Sequence, residues 1–447
     1  MATLTDQAAV HAVRAAALTL TGSEGDFDPL LSHVGDTRFV LLGESTHGTH
    51  EFYHARALIT KRLLRERGFT AVAVEADWPD ANRVNRYVRG RTTDGSAGQA
   101  LGGFKRFPQW MWRNRDVLDF VTWLRTHNES LPESNKAGFY GLDLYSLHAS
   151  MDAVIAYLRR VDPAAAQRAA RRYGCFERFG DDPQEYGYAA TLGLSETCER
   201  DVVNQLVELR ASALEYASRD GHVAAEDLFQ AEQNARLVAN AERYYRTMFG
   251  SRVASWNLRD EHMVESLSAL ERFLSRDAEP AKVVVWAHNS HLGDARATEM
   301  GRHGEWNVGQ LVRQRYGDDA VLVGFTTAEG TVTAADDWGA PAQRKAVRPP
   351  LGGSYEAIFH QSGVAHFLLD LVPPGDVVDA LGTPRLERAI GVIYRPETER
   401  TSHYFDAVLP DQFDIVLHYD RTRAVEPLER TAHWSSDELP ETYPSAL

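Results

Sequence analysis

The stretch Gly43-Glu44-Ser45-Thr46-His47-Gly48 sets a carboxylate three residues before a histidine, between two glycines, directly after the apolar run Phe39-Val40-Leu41-Leu42. A histidine in such a turn can take a proton from water near neutral pH. A neighbouring carboxylate orients its ring and stabilises the imidazolium, an arrangement worth about 10²- to 10⁴-fold in rate. The same chemical loading recurs at three further apolar runs. Glu75 and Asp77 follow Ala71–Val74, Asp143 follows Ala137–Tyr140, and His288 and His291 follow Lys282–Ala287. One strand ending in a carboxylate is ordinary, because Asp and Glu also cap helices and line turns. Four loaded ends in a row point to a common site, since ligands of open parallel sheets bind beyond the carboxyl ends of the strands. His47 is the candidate base.

Other chemistries can be weighed on the same residues. Ser45 beside a histidine suggests a serine nucleophile, but the elbow motif G-x-S-x-G requires glycine at position 47, which is His. Neither a G-x-G-x-x-G nor a P-loop pattern is present, so dinucleotide and nucleoside triphosphate chemistry has no support. No cofactor is expected. The rival is a divalent metal: Glu44, His47, Glu75, His288 and His291 are ligand types for zinc or iron, although His288-x-x-His291 is not in the helical H-E-x-x-H setting. Arg259, in the helix-like "SWNLRDEHM", could reach an acidic crevice to bind a substrate carbonyl or balance its carboxylates. Gly43 and Gly48 are read as the points where the backbone turns, and Thr49 with Glu51 as the cap of the next helix.

The elements that position these residues alternate. The four runs read as strands, and amphipathic stretches such as Phe52–Arg67 and Trp110–His127 read as helices. The fold class is therefore α/β, a mixed, mainly parallel sheet flanked by helices. From about 147 to 277 the period is almost entirely helical, which predicts a large helical insertion or lid. The organisation expected is a first core segment at 1–146, the insertion at 147–277, and the rest of the core with the C-terminal region at 278–447. "AHFLLDLV", "AIGVIY" and "FDIVLHY" are further strand candidates, and the Pro/Gly-rich 341–353 reads as a surface loop.

A net charge of −15 argues against a nucleic-acid backbone or an anionic membrane as partner and favours a small molecule. No apolar run approaches the ~20 residues needed to cross a bilayer. The two cysteines, Cys175 and Cys198, read as separate core thiols in a reducing compartment, so a cytoplasmic location is expected. Oligomeric state is not legible.

Taken together, "GESTHGTHEFYHAR", "VAVEADW", "YGLDLY", "WNLRDEHM" and "WAHNSHL" resemble the successive motifs of the erythromycin esterase family, and the C-terminal "SYEAIFH" and "SHYFDAVLPDQFDIVLHYD" are similar to its broad bacterial branch. The resemblance implies a mixed α/β sheet with a helical subdomain, and hydrolysis of a carboxylic ester or lactone, as in macrolides, by histidine-activated water without a covalent serine. It implies His47 as base, Glu44 and Glu75 orienting it or the water, and His288 close to the reacting ester. Arg56, Asp77, Asp143, Arg259 and His291 are then expected to line the substrate site. Two alternatives stay open: a metal-dependent hydrolase using the same cluster, and a non-catalytic protein that binds a polyketide-like or sugar ligand.

Overall fold

The computed structural model describes residues 4–431 and Trp434, apart from 181, 195, 218–220 and 276–278. Its strands are β1 (Leu18–Thr19), β2 (Phe39–Leu42), β3 (Ala71–Asp77), β4 (Gly138–Asp143), β5 (Val283–Trp286), β6 (Ala320–Ala334), β7 (Gln343–Val347), β8 (His366–Asp370), β9 (Arg385–Arg388), β10 (Tyr404–Ala407) and β11 (Ile415–Thr422). Nine of them form one sheet in the order β1-β8-β11-β6-β2-β5-β3-β4, with β7 on β6, while β9 and β10 pair separately. From β11 to β4 the pairing is parallel. β1, β8 and β7 join antiparallel. The α/β class read from the sequence is the one observed.

The central strands are apolar throughout, "FVLL" and "VVVW" being wholly buried, because helices cover both faces. The four loaded strands β2, β5, β3 and β4 are consecutive neighbours running the same way, so their carboxyl ends, and the residues that follow, meet at one edge. Between β4 and β5 the chain is helical, from Leu147–Val161 to Arg252–Leu274. The expected boundary at 277/278 lies outside the described residues.

Several expectations are corrected. "AIGVIY" is a loop: Ile390 and Ile393 make single bridges to Thr46 and Ala335, and Ile390 and Tyr394 are apolar because they pack with Val332, Ala334 and Val347. The stretch 341–353 contains β7. Cys175 and Cys198 are not separate thiols but a disulfide, with Cα atoms 5.9 Å apart. Among the described residues no helix is long and apolar enough to cross a membrane.

Candidate active site

The turn after β2 is shaped by crowding. A methyl group on Gly48 would stand 1.9 Å from the Thr333 carbonyl oxygen, and one on Gly43 would stand 2.2 Å from Asn289 Oδ1. Neither glycine has a positive φ, so close approach to β6 and to the loop after β5 is what demands them. Thr49 occupies the N-cap of the helix His50–Glu66 without a side-chain capping bond, because its hydroxyl is turned to that of Thr46. The expected cap is therefore absent.

His47 Nδ1 lies 2.9 Å from Glu44 Oε1. An ionised carboxylate only accepts, so in the neutral ring Nδ1 carries the proton and Nε2 offers the lone pair. Glu44 Oε2 is 2.6 Å from Arg56 Nη2, both side chains being buried. Arg56 does not line the substrate site as expected. It lies wholly inside, with its guanidinium over the rings of Tyr53 and Trp286, and can act only through Glu44.

The His47 and His288 rings are 4.8 Å apart. His288 Nδ1 accepts from the Ser290 backbone N–H at 3.2 Å and lies 2.8 Å from Ser290 Oγ. Its Nε2 therefore carries the proton; that atom is buried and, with the Ser45 backbone nearby, has no well-formed hydrogen bond among the described residues. Burial, with the nearby His47, holds the ring's pKa well below the ordinary histidine value, so His288 is neutral.

Glu75 does not touch His47 through a hydrogen bond, contrary to a direct orienting role. Its Oε2 accepts from the His288 backbone N–H at 2.9 Å and its Oε1 from Arg259 Nη2 at 2.7 Å, with His291 Nε2 3.4 Å away. Burial alone would raise its pKa, but His291, Arg259 and His47 outweigh it and hold the group far below the carboxylate range. Arg259 also forks onto Asp143, at 3.0 and 2.7 Å, and its Nη1 is 3.0 Å from His291 Nε2. His291 is stacked on Trp256 and held through Nδ1 by Asp260 at 2.9 Å. Asp77 pairs with Arg106 at 3.1 Å, yet burial pushes its pKa up to about 6. Asp80, one turn further on, rises to about 7 from burial and the charge of Asp77.

Seven of the nine residues singled out in the sequence, His47, Glu75, Asp77, Asp143, Arg259, His288 and His291, line one cavity of about 790 Å³, with Glu44 and Arg56 behind the wall. Sequence reading missed Asp80, Arg106, Trp256, Trp338 and the 389–393 loop, which also line it. Trp256 and Asp80 had a signal: each lies three residues along a helix from a residue already marked. Arg106, Trp338 and the loop come from distant connections and had none. Among the described residues no three His, Cys, Asp or Glu side chains are grouped to hold a metal ion. The position among Glu75, Asp143 and His291 belongs to the Arg259 guanidinium.

The sequence profile described as Erythromycin esterase matches residues 64–422. The chain belongs to the erythromycin esterase family. The match begins after the β2 turn, so Glu44, His47 and Arg56 stand on geometry. A relative named Erythromycin esterase type II, from Escherichia coli, is 25% identical over 322 residues, 69% of this chain and 73% of its own length. A putative hydrolase, YbfO of Bacillus subtilis (strain 168), is 21% identical over 85% of this chain and 82% of its own. Family and relatives make the chain a hydrolase. Among solved structures, a Bacillus cereus protein superposes with a TM-score of 0.78 at 23% identity, over 96% of this chain and 100% of its own. A mutant of the erythromycin esterase EreC in its open conformation does so with a TM-score of 0.65 at 19% identity, over 90% and 94%. These structures establish the fold of the family.

Proposed function

We propose that the cavity hydrolyses a carboxylic ester or lactone of a bulky small molecule by histidine-activated water. The observation that carries this reading is the buried Arg56–Glu44–His47 chain, which presents His47 at the cavity wall beside the Nε2–H of a neutral His288. His47 Nε2 takes a proton from water, and the hydroxide adds to the carbonyl carbon. Glu44 holds Nδ1–H and stabilises the imidazolium. The carbonyl oxygen, now negative, is met by the His288 donor, which a depressed pKa keeps neutral and ready to donate. Collapse of the intermediate breaks the bond to the alkoxide, which takes its proton from the His47 imidazolium. Glu75, too acidic to be a base, fixes His288 and Arg259.

A cavity of about 790 Å³ suits a drug-sized ligand, whose sites span roughly 300–1,000 Å³. Because a relative carries the name of an erythromycin esterase, macrolides head the substrate panel. The metal-dependent alternative is less favoured because the Arg259 guanidinium already supplies the positive charge among the acidic groups. The test is mass spectrometry of macrolides and general esters incubated with the parent and with His47→Ala. The expected result is a mass gain of one water for a lactone, or the acid and alcohol halves for an open ester, formed about 10²- to 10⁴-fold more slowly by the variant with its melting curve unchanged. Equal turnover by both would overturn the assignment.

A further inference from the structure

Behind the wall that carries His288 lies a second polar cluster that the proposed chemistry does not use. Glu387 on β9 and Glu356 in the helix Tyr355–Ser362 are both fully buried. Glu356 Oε1 accepts from the Arg388 backbone N–H at 2.9 Å. The Arg388 guanidinium is engaged elsewhere, by Glu399 at 2.9 Å and by the carbonyls of Thr327, Ala328 and Arg348. Among the described residues Glu387 thus has no ion-pair partner. From the packed elements it faces Glu356 and Tyr355, Gln412 in the helix Leu409–Gln412, and Asn289. Among the described residues its Oε2 has no well-formed hydrogen bond, with the Gln412 side chain alongside. The Gln412 and Asn289 side chains favour the ionised form of Glu387, but a fully buried carboxylate with no cation paired to it among the described residues is where a proton belongs.

The Glu387 contact that reaches the active site is Asn289, whose Nδ2 donates to Glu387 Oε1 at 3.3 Å and to the Phe325 carbonyl at 2.9 Å. Asn289 follows His288 directly, and its backbone N–H donates to the Glu44 carbonyl at 2.8 Å. Gly43 is packed against its side-chain oxygen. Asn289 is therefore the spacer between the loop bearing Glu44 and His47 and the loop bearing His288.

We propose that Glu387 works as a neutral carboxylic acid that positions Asn289 and, through it, sets the spacing of His47 and His288. It touches neither substrate nor reacting atoms and is a positioning residue. Burial and the neighbouring Glu356 push its pKa up to about 8, in line with that geometry. The folded state then holds a proton that the unfolded chain, with an ordinary value of 4.5, has released. The stability this contributes is complete below about pH 4.5 and is lost as pH rises through about 8.

The experiment compares parent, Glu387→Gln and Glu387→Ala. Thermal unfolding from pH 5 to 8.5 should show the parent losing stability relative to Glu387→Gln as pH rises, because the amide stays neutral while Glu356 is common to both. With an ester the parent hydrolyses, Glu387→Gln should keep the parental kcat at pH 7 and extend activity to higher pH. Glu387→Ala should lose on the order of 10²-fold in kcat with KM little changed, the effect of a small misplacement. A parent-to-Glu387→Gln difference that does not vary with pH, or a Gln variant as impaired as the Ala variant at pH 7, overturns the proposal. The kinetic arm rests on the hydrolytic reading. The unfolding arm does not, so if no ester is consumed that reading fails while the protonation of Glu387 is still decided.

Discussion

Replacing Arg259 by methionine tests the electrostatic core of the cavity. The guanidinium is nearly buried, its side chain 14% exposed, and it donates to Glu75, to both oxygens of Asp143 and to His291. Methionine keeps much of the length and removes the charge. Glu75 would retain the His288 backbone N–H, and Asp143 would retain the Leu144 N–H at 2.8 Å, but two carboxylates would sit buried without their cation. Breaking a buried pair from one side costs about 3–5 kcal/mol, because the surviving charge stays desolvated. The sign of its pH dependence follows. In the parent, Glu75 has a depressed pKa and contributes stability that is present above pH 4.5 and lost as pH falls through its folded value. In Arg259→Met the depression of Glu75 is weakened, leaving His291, His47 and the His288 backbone N–H against burial, so acid neutralises the stranded charge more readily and the deficit shrinks from pH 8 toward pH 5. Equilibrium urea unfolding followed by tryptophan fluorescence measures this, with Trp256 stacked on His291 as a local reporter. Adding Asp143→Asn to Arg259→Met should recover part of the loss, a coupling expected of groups in one network. A deficit below about 1 kcal/mol, or one independent of pH, would match a solvated surface pair and refute the reasoning.

Gly48→Ala should destabilise by at least about 1–3 kcal/mol, since the added methyl meets backbone at Thr333 and cannot be relieved by a rotamer change. It should also lower turnover through the displaced His47. Gly352→Ala, whose methyl would meet nothing within 4 Å, is the control, expected within about 0.5 kcal/mol by the same urea titration. Asp80→Asn should gain stability relative to the parent as pH rises from 5 to 8. Burial and Asp77 lift the Asp80 pKa from 3.8 to about 7, so its favourable contribution is complete below 3.8 and lost through 7. Parallel scanning-fluorimetry curves across that range would contradict the pair's proximity.

The four loaded strands were legible because each is a short apolar run bounded by charge, and their adjacency in the sheet turns four separate sequence signals into one site. β6 was not legible, although it lies beside β2, because Gly324, Thr326, Thr327, Glu329 and Gly330 break its apolar pattern. Those positions are tolerated by pairing with β11 along most of its length. Arg56 shows a different limit. Its helix buries Phe52, Tyr53, Ile59 and Thr60 along with it, and periodicity alone does not tell a charged residue pointing at substrate from one neutralised inside by Glu44. Glu387 was invisible for a related reason: "LER" in β9 reads as a solvated strand end, and only the packing of the helix Tyr355–Ser362 and of Asn289 closes it off from water.

The two histidines at the centre of the cavity have the same chemistry in isolation, and their partners separate them. His47 receives a carboxylate at Nδ1, which holds the proton there and leaves Nε2 as an acceptor. His288 receives a backbone N–H at the same atom, which can only donate; that fixes the opposite tautomer and, with burial, disfavours a charge. Glu75 sits close enough to have served either ring, but its oxygens are taken up by Arg259 and the His288 backbone N–H. A base and a neutral donor can therefore stand 4.8 Å apart at one pH. Exchanging the two kinds of partner, rather than the rings themselves, is what would exchange their roles.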